Sequence, residues 1–229
     1  MSGSAPQHSP RPLRAAAVLF DLDGTLADTA GDLVAALNRV RADRGLAAVS
    51  IETLRAHASS GARGLLGAGL DLRPDDEGYR ELRDAFLAYY EIGLADTTQL
   101  FDGVEPLLAA LERRAIRWGI VTNKAERFTF PLLAALGLDR RASVVVCGDT
   151  TAHPKPHPAP LIHAADRLSI AVEQCVYVGD DLRDVQAGNA AGMATIVAKY
   201  GYLGETGDCV GWPATGWIDS PSELLAWIA

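Results

Sequence analysis

Residues 16–29 read Ala-Ala-Val-Leu-Phe-Asp-Leu-Asp-Gly-Thr-Leu-Ala-Asp-Thr, an apolar run that ends at two carboxylates. A short apolar run that is stopped by charges and a glycine predicts a buried strand of a parallel sheet. Asp21 and Asp23 then lie at the carboxyl end of that strand, where open α/β sheets bind their ligands. Their i, i+2 spacing places both on one side of an extended chain. Two carboxylates facing one point favour an oxygen-bound divalent cation such as Mg²⁺.

The composition argues against nucleic-acid binding and membrane association. The chain has 229 residues, 48% of them hydrophobic, which suits one large domain or a domain with a smaller insertion. Its formal net charge of −8 gives no electrostatic footprint for nucleic acid or an anionic membrane. No apolar run approaches the roughly 18 residues of a membrane span, and three widely spaced cysteines fit a reducing compartment. We therefore expect a cytoplasmic protein that binds neither nucleic acid nor membrane, with a disordered segment at residues 1–14.

The order of the predicted elements indicates the fold class. Residues 29–98 show helical periodicity and no strand, whereas strands and helices alternate from residue 99 onward. Such alternation predicts an α/β fold with a doubly wound, Rossmann-like parallel sheet. We expect residues 15–28 and 99–229 to form this core, with residues 29–98 inserted as a helical cap. Thr29 and Asp32 have the spacing of a capping box at the start of the first cap helix.

Further polar residues follow other predicted strands at the same edge of the sheet. Thr122 and Asn123 follow one strand, and Asp180 and Asp184 follow another. Lys155 lies between two prolines, which stiffen its loop, and the chain contains only three lysines. Because the carboxyl ends of parallel strands meet at one edge, these side chains are expected to converge with the two aspartates that follow the first strand.

These residues carry a resemblance to a known family. The segment that begins at Asp21, Asp-Leu-Asp-Gly-Thr-Leu, resembles the first motif of the haloacid dehalogenase-like superfamily in its phosphatase form. Thr122 and Asn123 resemble its second motif and Lys155 its third. Residues 179–184 resemble its acidic motif Gly-Asp-Ser/Thr-x-x-Asp, with a second Asp in place of the Ser or Thr. The resemblance covers nearly the whole chain after residue 15 and implies Mg²⁺-dependent hydrolysis of a phosphomonoester.

Residue chemistry and this resemblance together predict the roles. Asp21 is the expected nucleophile, forming an aspartyl-phosphate that water then hydrolyses. Asp23 is expected to protonate the leaving alcohol and then to activate the water, with passive metal ligation as the alternative. By resemblance, the backbone carbonyl of Asp23 also contacts the metal. The other expected roles are phosphate binding by Thr122 and Asn123, charge neutralisation by Lys155, metal ligation by Asp21, Asp23 and Asp180, and outer support of the metal and Lys155 by Asp184.

The expected cap supplies the candidates for binding the rest of the substrate. They are a small polar loop and a guanidinium suited to a carboxylate, namely Ser59, Ser60, Gly61 and Arg63. An ordinary interhelical loop is the alternative interpretation. Within the superfamily, residues 60–63, 118–124 and 179–184 resemble phosphoglycolate phosphatases and N-acetylmuramic acid 6-phosphate phosphatases. We therefore expect a small phosphorylated carboxylate or sugar metabolite as substrate, 2-phosphoglycolate first and N-acetylmuramic acid 6-phosphate second.

Other activities fit the sequence less well. A β-phosphoglucomutase-like mutase shares the same core and stays an alternative. A phosphoacceptor signalling or binding module also uses a parallel sheet and an acidic pocket, but such modules lack the helical insertion and the Asp-x-Asp pair. The absence of lysine from residues 29–98 argues against a phosphonatase. Asp23 argues against a haloalkanoic acid dehalogenase, whose leaving group needs no proton.

Overall fold

A six-stranded parallel sheet forms the centre of the computed structural model, which describes residues 12–204 and 207–228. The described strands are β1 (Ala17–Phe20), β2 (Ala27–Asp28), β3 (Gln99–Leu100), β4 (Arg117–Val121), β5 (Val145–Val146), β6 (Cys175–Gly179), β7 (Ala194–Ala198) and β8 (Gly216–Ile218). The order in the large sheet is β5-β4-β1-β6-β7-β8, with every pairing parallel. Strands β2 and β3 form a separate antiparallel pair, where the chain leaves for residues 29–98 and returns.

Helices make up most of the remaining secondary structure of the described chain. They are α1 (Ala30–Asp43), α2 (Ile51–Leu54), α3 (Gly61–Leu70), α4 (Tyr79–Ile92), α5 (Val104–Arg113), α6 (Glu126–Ala135), α7 (Ala159–Leu168), α8 (Leu182–Ala191) and α9 (Leu224–Trp227). Three short 3₁₀ helices accompany them, at Arg55–Ser60, Val172–Gln174 and Pro221–Glu223. Among the described residues, no helix is long and apolar enough to cross a membrane.

The sheet is buried on both faces because its central strand is apolar throughout. Val18 and Phe20 belong to one hydrophobic core, which includes residues of α5, α6 and α9. Ala17 and Leu19 point to the opposite face and belong to a second core with residues of α7 and α8. Successive side chains of a strand alternate between faces, so one apolar run fills both cores. The predicted doubly wound α/β fold is confirmed.

Residues 29–98 contribute a third hydrophobic core, formed where α1, α3 and α4 pack together. Phe128 and Tyr202, which lie outside this segment, also pack into that core. The helices are therefore joined to the sheet-bearing part of the chain by apolar contact as well as by the β2–β3 pair. The division into a core and an inserted cap stays a proposal.

Two expectations about local structure changed. The predicted capping box is wrong: Thr29 makes no side-chain cap, and its hydroxyl donates to Asp23 at 2.6 Å. Asp32 instead accepts four hydrogen bonds from the backbone and hydroxyl groups of Thr97 and Thr98. Residues 1–11 of the segment expected to be disordered lie outside the described residues, whereas Leu13 pairs with Ile228 in a β-bridge.

Candidate active site

The first predicted strand ends at a buried ion pair. The Asp21 carboxylate lies 2.8 Å from the Lys155 ammonium. Lys155 is itself buried and also contacts Asp184 at 2.7 Å and the Tyr177 hydroxyl at 2.7 Å. Burial alone lowers the pKa of Lys155, but the two carboxylates outweigh it and the net pKa is raised. Lys155 therefore stays an ammonium that carries positive charge to the end of β1.

Three buried carboxylates meet beside this ammonium. Asp21, Asp180 and Asp184 each place one oxygen within 4.8 Å of the others. Burial, followed by the charges of Asp21 and Asp184, raises the pKa of Asp180 well above its usual range. Asp180 also accepts hydrogen bonds from the Thr25 hydroxyl and the Tyr202 backbone, both at 2.9 Å. A cluster with more negative than positive charge is stable with all groups ionised only if a further cation is bound.

Gly24 allows the turn that brings these groups together. Its φ of +89° is a conformation that side-chain-bearing residues rarely adopt. A β-carbon at this position would also collide with the Asp180 carboxylate. The glycine that follows the Asp-x-Asp pair is therefore required both for the backbone turn and for the close approach of Asp180, which follows β6.

Asp23 lies apart from the carboxylate cluster. Its side chain contacts the Lys124 ammonium at 3.0 Å and the Thr29 hydroxyl at 2.6 Å. Lys124 also donates to the hydroxyl of Tyr90 at 2.9 Å. Because Tyr90 lies on α4, this contact connects the helical segment to the side chain expected to carry protons.

The residues that follow β4 have different contacts. Thr122 is buried, lines the cavity above the sheet edge and accepts a hydrogen bond from the Lys124 backbone. The Asn123 amide donates to the Lys155 carbonyl and accepts from the Lys155 backbone N–H, each at 2.9 Å. Asn123 thus holds the loop that carries Lys155, a contact that the predicted phosphate-binding role did not include.

A cavity of about 450 Å³ opens above these groups, between the sheet edge and the helical segment. Ser60 and Gly61 line it, together with Ser59, whose hydroxyl lies 3.3 Å from Asp180. Arg63 is exposed and is not among the lining residues. The small polar loop of residues 59–61 therefore lines the cavity. Arg63, whose guanidinium was predicted to bind the substrate, lies outside the cavity.

Asp181, which had no assigned role, forms the side-chain cap of α8 and pairs with Arg183. Two nitrogens of the Arg183 guanidinium contact its carboxylate at 2.8 Å each. The same guanidinium donates to the Ser59 carbonyl at 2.9 Å. The Asp that replaces the usual Ser or Thr therefore orients an arginine that reaches the helical segment.

The site can now be compared with known proteins. Residues 18–198 match the model of the family described as haloacid dehalogenase-like hydrolase. The chain belongs to that family.

Named relatives cover almost the same length. A phosphoglycolate phosphatase of Xanthomonas campestris pv. campestris is 44% identical over 208 residues, 91% of this chain and 94% of the relative. An N-acetylmuramic acid 6-phosphate phosphatase of Pseudomonas putida is 40% identical over 212 residues, 93% of this chain and 95% of the relative. A crystal structure described as a predicted phosphoglycolate phosphatase of Haemophilus somnus 129PT superposes with a TM-score of 0.80 at 25% identity, covering 92% and 96% of the two chains.

Membership of a haloacid dehalogenase-like hydrolase family makes the chain an enzyme, and a phosphoacceptor module is not favoured.

The cluster of Asp21, Asp180 and Asp184 fits a metal ion, because all its donor atoms are carboxylate oxygens of the kind that hard cations bind. Both oxygens of Asp184 already accept hydrogen bonds, from Lys155 and Tyr177 on one side and the Asp181 backbone on the other. Both oxygens of Asp180 also accept hydrogen bonds, one from Thr25 and the other from Tyr202 and Ser59. Asp21, whose side chain contacts Lys155, therefore has the most remaining capacity to hold an ion.

Several cavity residues were missed by sequence reasoning. They are Arg83, Tyr90, Lys124, Arg127 and Arg183. Lys124 had a usable signal, since it is one of only three lysines and follows Thr122 and Asn123 directly. The arginines had none, because the chain uses arginine throughout for surface charge and nothing local distinguishes these three.

Proposed function

We propose that this hydrolase cleaves phosphomonoesters through an aspartyl-phosphate on Asp21, with Mg²⁺ as cofactor. The observation that carries the proposal is the Asp21 carboxylate at the end of β1, 2.8 Å from a buried ammonium and facing an open cavity. A carboxylate oxygen held beside fixed positive charge can attack phosphorus without strong repulsion from the phosphate oxygens.

With Asp21 and Asp23 in these roles, the proposed reaction consists of two successive displacements at phosphorus. In the first, an Asp21 oxygen bonds to phosphorus, the bond to the leaving oxygen breaks, and Asp23 gives that oxygen a proton. In the second, Asp23 takes a proton from water, whose oxygen bonds to phosphorus and releases Asp21. Lys155 and Thr122 contact the phosphoryl oxygens, while Asp184 and Asn123 hold Lys155 in place. Mg²⁺ held by the carboxylates of Asp21 and Asp180 and by the backbone carbonyl of Asp23 would add positive charge beside the transferring group.

The leaving group is proposed to lie under residues 29–98, which act as a cap and contribute Ser60 and Gly61. 2-Phosphoglycolate is the first candidate substrate, supported by the name of the relative that is 44% identical. N-acetylmuramic acid 6-phosphate is the second, supported by a specific observation. The cavity of about 450 Å³ lies within the range that accommodates ligands much larger than a two-carbon phosphoester.

Replacement of the nucleophile tests the proposal. Asp21→Asn should lower kcat for p-nitrophenyl phosphate by about 10³-fold or more, because an amide does not form the phosphoenzyme. The matched control is Asp102→Asn, which neutralises an exposed aspartate outside the cavity and should leave kcat unchanged. Retention of turnover by the Asp21 variant would exclude Asp21 as the nucleophile.

A further inference from the structure

The positive charges that line the cavity differ in how they are paired. Five cationic side chains line it. Three of these have a carboxylate partner within 3.0 Å: Lys155 with Asp21 and Asp184, Lys124 with Asp23, and Arg183 with Asp181. The charge at the reacting end of the cavity is therefore largely compensated by the protein itself.

The remaining two cations, Arg83 and Arg127, have no such partner among the described residues. Arg83 on α4 approaches only its exposed neighbour Asp84, at 3.5 Å. The Arg127 guanidinium on α6 lies 4.4 Å from the centre of the Phe128 ring. A guanidinium stacked on a ring keeps its N–H groups directed outward in the ring's plane. Two guanidiniums, one from the helical segment and one from the sheet-bearing part, are thus available to an anion in the cavity.

Helix geometry places Arg83 far from the reacting end. Arg83, Phe86, Leu87 and Tyr90 all line the cavity and share one face of α4, as their spacing requires. Tyr90 marks the inner end, since its hydroxyl contacts Lys124, which in turn contacts Asp23. Seven residues of helix at about 1.5 Å each put the Arg83 backbone roughly 10 Å from that of Tyr90.

We propose that Arg83 and Arg127 form a second anion site that binds a carboxylate of the substrate, at the end of the cavity away from Asp21. The proposal rests on the proposed phosphatase function and specifies its substrate class. In phosphoglycolate, three bonds separate phosphorus from the carboxyl carbon, a span of at most about 4.5 Å at roughly 1.5 Å per bond. The second anion site therefore favours the second candidate substrate over the first, since it suits a phosphomonoester whose carboxylate lies across a sugar ring.

The wall between the two ends fits the same class of ligand. Phe86 and Leu87 line the cavity between Arg83 and Tyr90 on α4, and Phe128, which follows Arg127, lies with its ring centre 5.4 Å from that of Tyr90. Apolar and aromatic side chains with a few charged groups at defined points are typical of sites for cyclic ligands. A sugar ring would contact this wall while its phosphate and carboxylate reach opposite ends.

Binding to an inactive enzyme tests the proposal directly. In Asp21→Asn protein with Mg²⁺, calorimetry would give Kd for N-acetylmuramic acid 6-phosphate and for N-acetylglucosamine 6-phosphate, which lacks the carboxylate. The first should bind more tightly. Adding Arg83→Gln or Arg127→Gln should reduce that preference by about tenfold to hundredfold, the range for a hydrogen bond between charged groups. Arg80→Gln is the matched control, an exposed arginine of the same helix outside the cavity, and should leave the preference unchanged.

The outcomes separate the two proposals. An unchanged preference in both arginine variants would overturn the second anion site. Turnover of p-nitrophenyl phosphate that survives in Asp21→Asn would overturn the proposed mechanism instead. In that case, a preference that still depends on Arg83 and Arg127 would support the anion site independently of the chemistry.

Discussion

Lys155 shows how one side chain connects stability to chemistry. Its ammonium lies within 2.9 Å of four oxygens, those of Asp21, Asp184, Tyr177 and the Val121 carbonyl. Burial of an ammonium is costly unless it is paired and hydrogen-bonded. Here the pairing is complete, and the same charge faces the position proposed for the phosphoryl group.

Removal of this ammonium should destabilise the fold. Lys155→Met leaves Asp21 and Asp184 buried without their cation, so we expect the free energy of unfolding in urea to fall by about 3–5 kcal/mol. Lys199→Met, which removes a partly exposed lysine paired with Asp219, is the control and should cost about 1 kcal/mol or less. Lys155→Met/Asp184→Asn should recover part of the loss. Equal losses in the two single variants would contradict the assigned role of Lys155.

At the residue scale, the sequence predicted which residues belong to the site better than it predicted what their side chains contact. The scarcity of lysine and the ends of apolar runs were sufficient to single out Lys155, Asp21 and Asp180. They were insufficient for Asn123, whose amide contacts a backbone 32 residues away, and for Arg63, which the structure leaves exposed. Such contacts depend on how two loops meet after folding, and local residue type carries no information about that.

At the scale of elements, Asp32 fixes where α1 begins relative to the returning strand. Its two carboxylate oxygens accept from both Thr97 and Thr98, and the side chain is buried. Asp32 lies in the first turn of α1, and Thr97 and Thr98 lie directly before β3. The predicted capping box is therefore wrong because the Asp32 carboxylate binds donors 65 and 66 residues away instead of the backbone beside it.

Asp32→Asn should weaken this connection. The substituted amide cannot accept from both pairs of donors, so the free energy of unfolding should fall by about 3 kcal/mol, as for lost hydrogen bonds to a charged group. Asp96→Asn, at a nearby exposed aspartate, should change it by less than about 0.5 kcal/mol. Urea unfolding followed by circular dichroism measures both. A small effect at Asp32 would show that the apolar contacts of α1 alone hold the segment in place.

Helix and strand order was predicted well because amphipathic periodicity and apolar runs are local signals. Strand β1 was predicted from the five apolar residues 16–20 and the charged residue that follows them. Which helical residues face the sheet is not local: Tyr90 and Arg83 became cavity residues only because α4 packs across α1 above the strand ends. The side of each helix that meets a neighbour follows from the tertiary arrangement.

For the whole molecule, the concentration of carboxylates at one sheet edge makes stability depend on pH. Burial is the largest cause that raises the pKa of Asp21, from 3.8 to about 7, with Lys155 opposing and Asp184 adding to the rise. A carboxyl with a raised pKa binds its proton more tightly in the folded state than in the unfolded state. Its contribution to the free energy of unfolding therefore falls as pH rises from about 4 to about 7.

This dependence should appear when metal is removed. In EDTA, the stability of the wild type relative to Asp21→Asn should fall between pH 4 and 7, by up to about 1.4 kcal/mol per pH unit. With Mg²⁺ the fall should be smaller, because a bound cation favours the ionised carboxylate. Urea midpoints at each pH, with and without Mg²⁺, give the comparison. A relative stability in EDTA that rises with pH would contradict the raised pKa.

Ser59 couples the helical segment to the proposed metal site. Its hydroxyl lies 3.3 Å from Asp180, and its carbonyl accepts from Arg183 at 2.9 Å. One residue of the helical segment thus contacts both the proposed metal ligand and the helix that follows it. Occupancy of the cation site and the position of the helical segment then share a single coupling free energy. Whatever affinity the Ser59 contacts add for a cation at the proposed site, the cation adds equally to the stability of those contacts, by thermodynamic reciprocity.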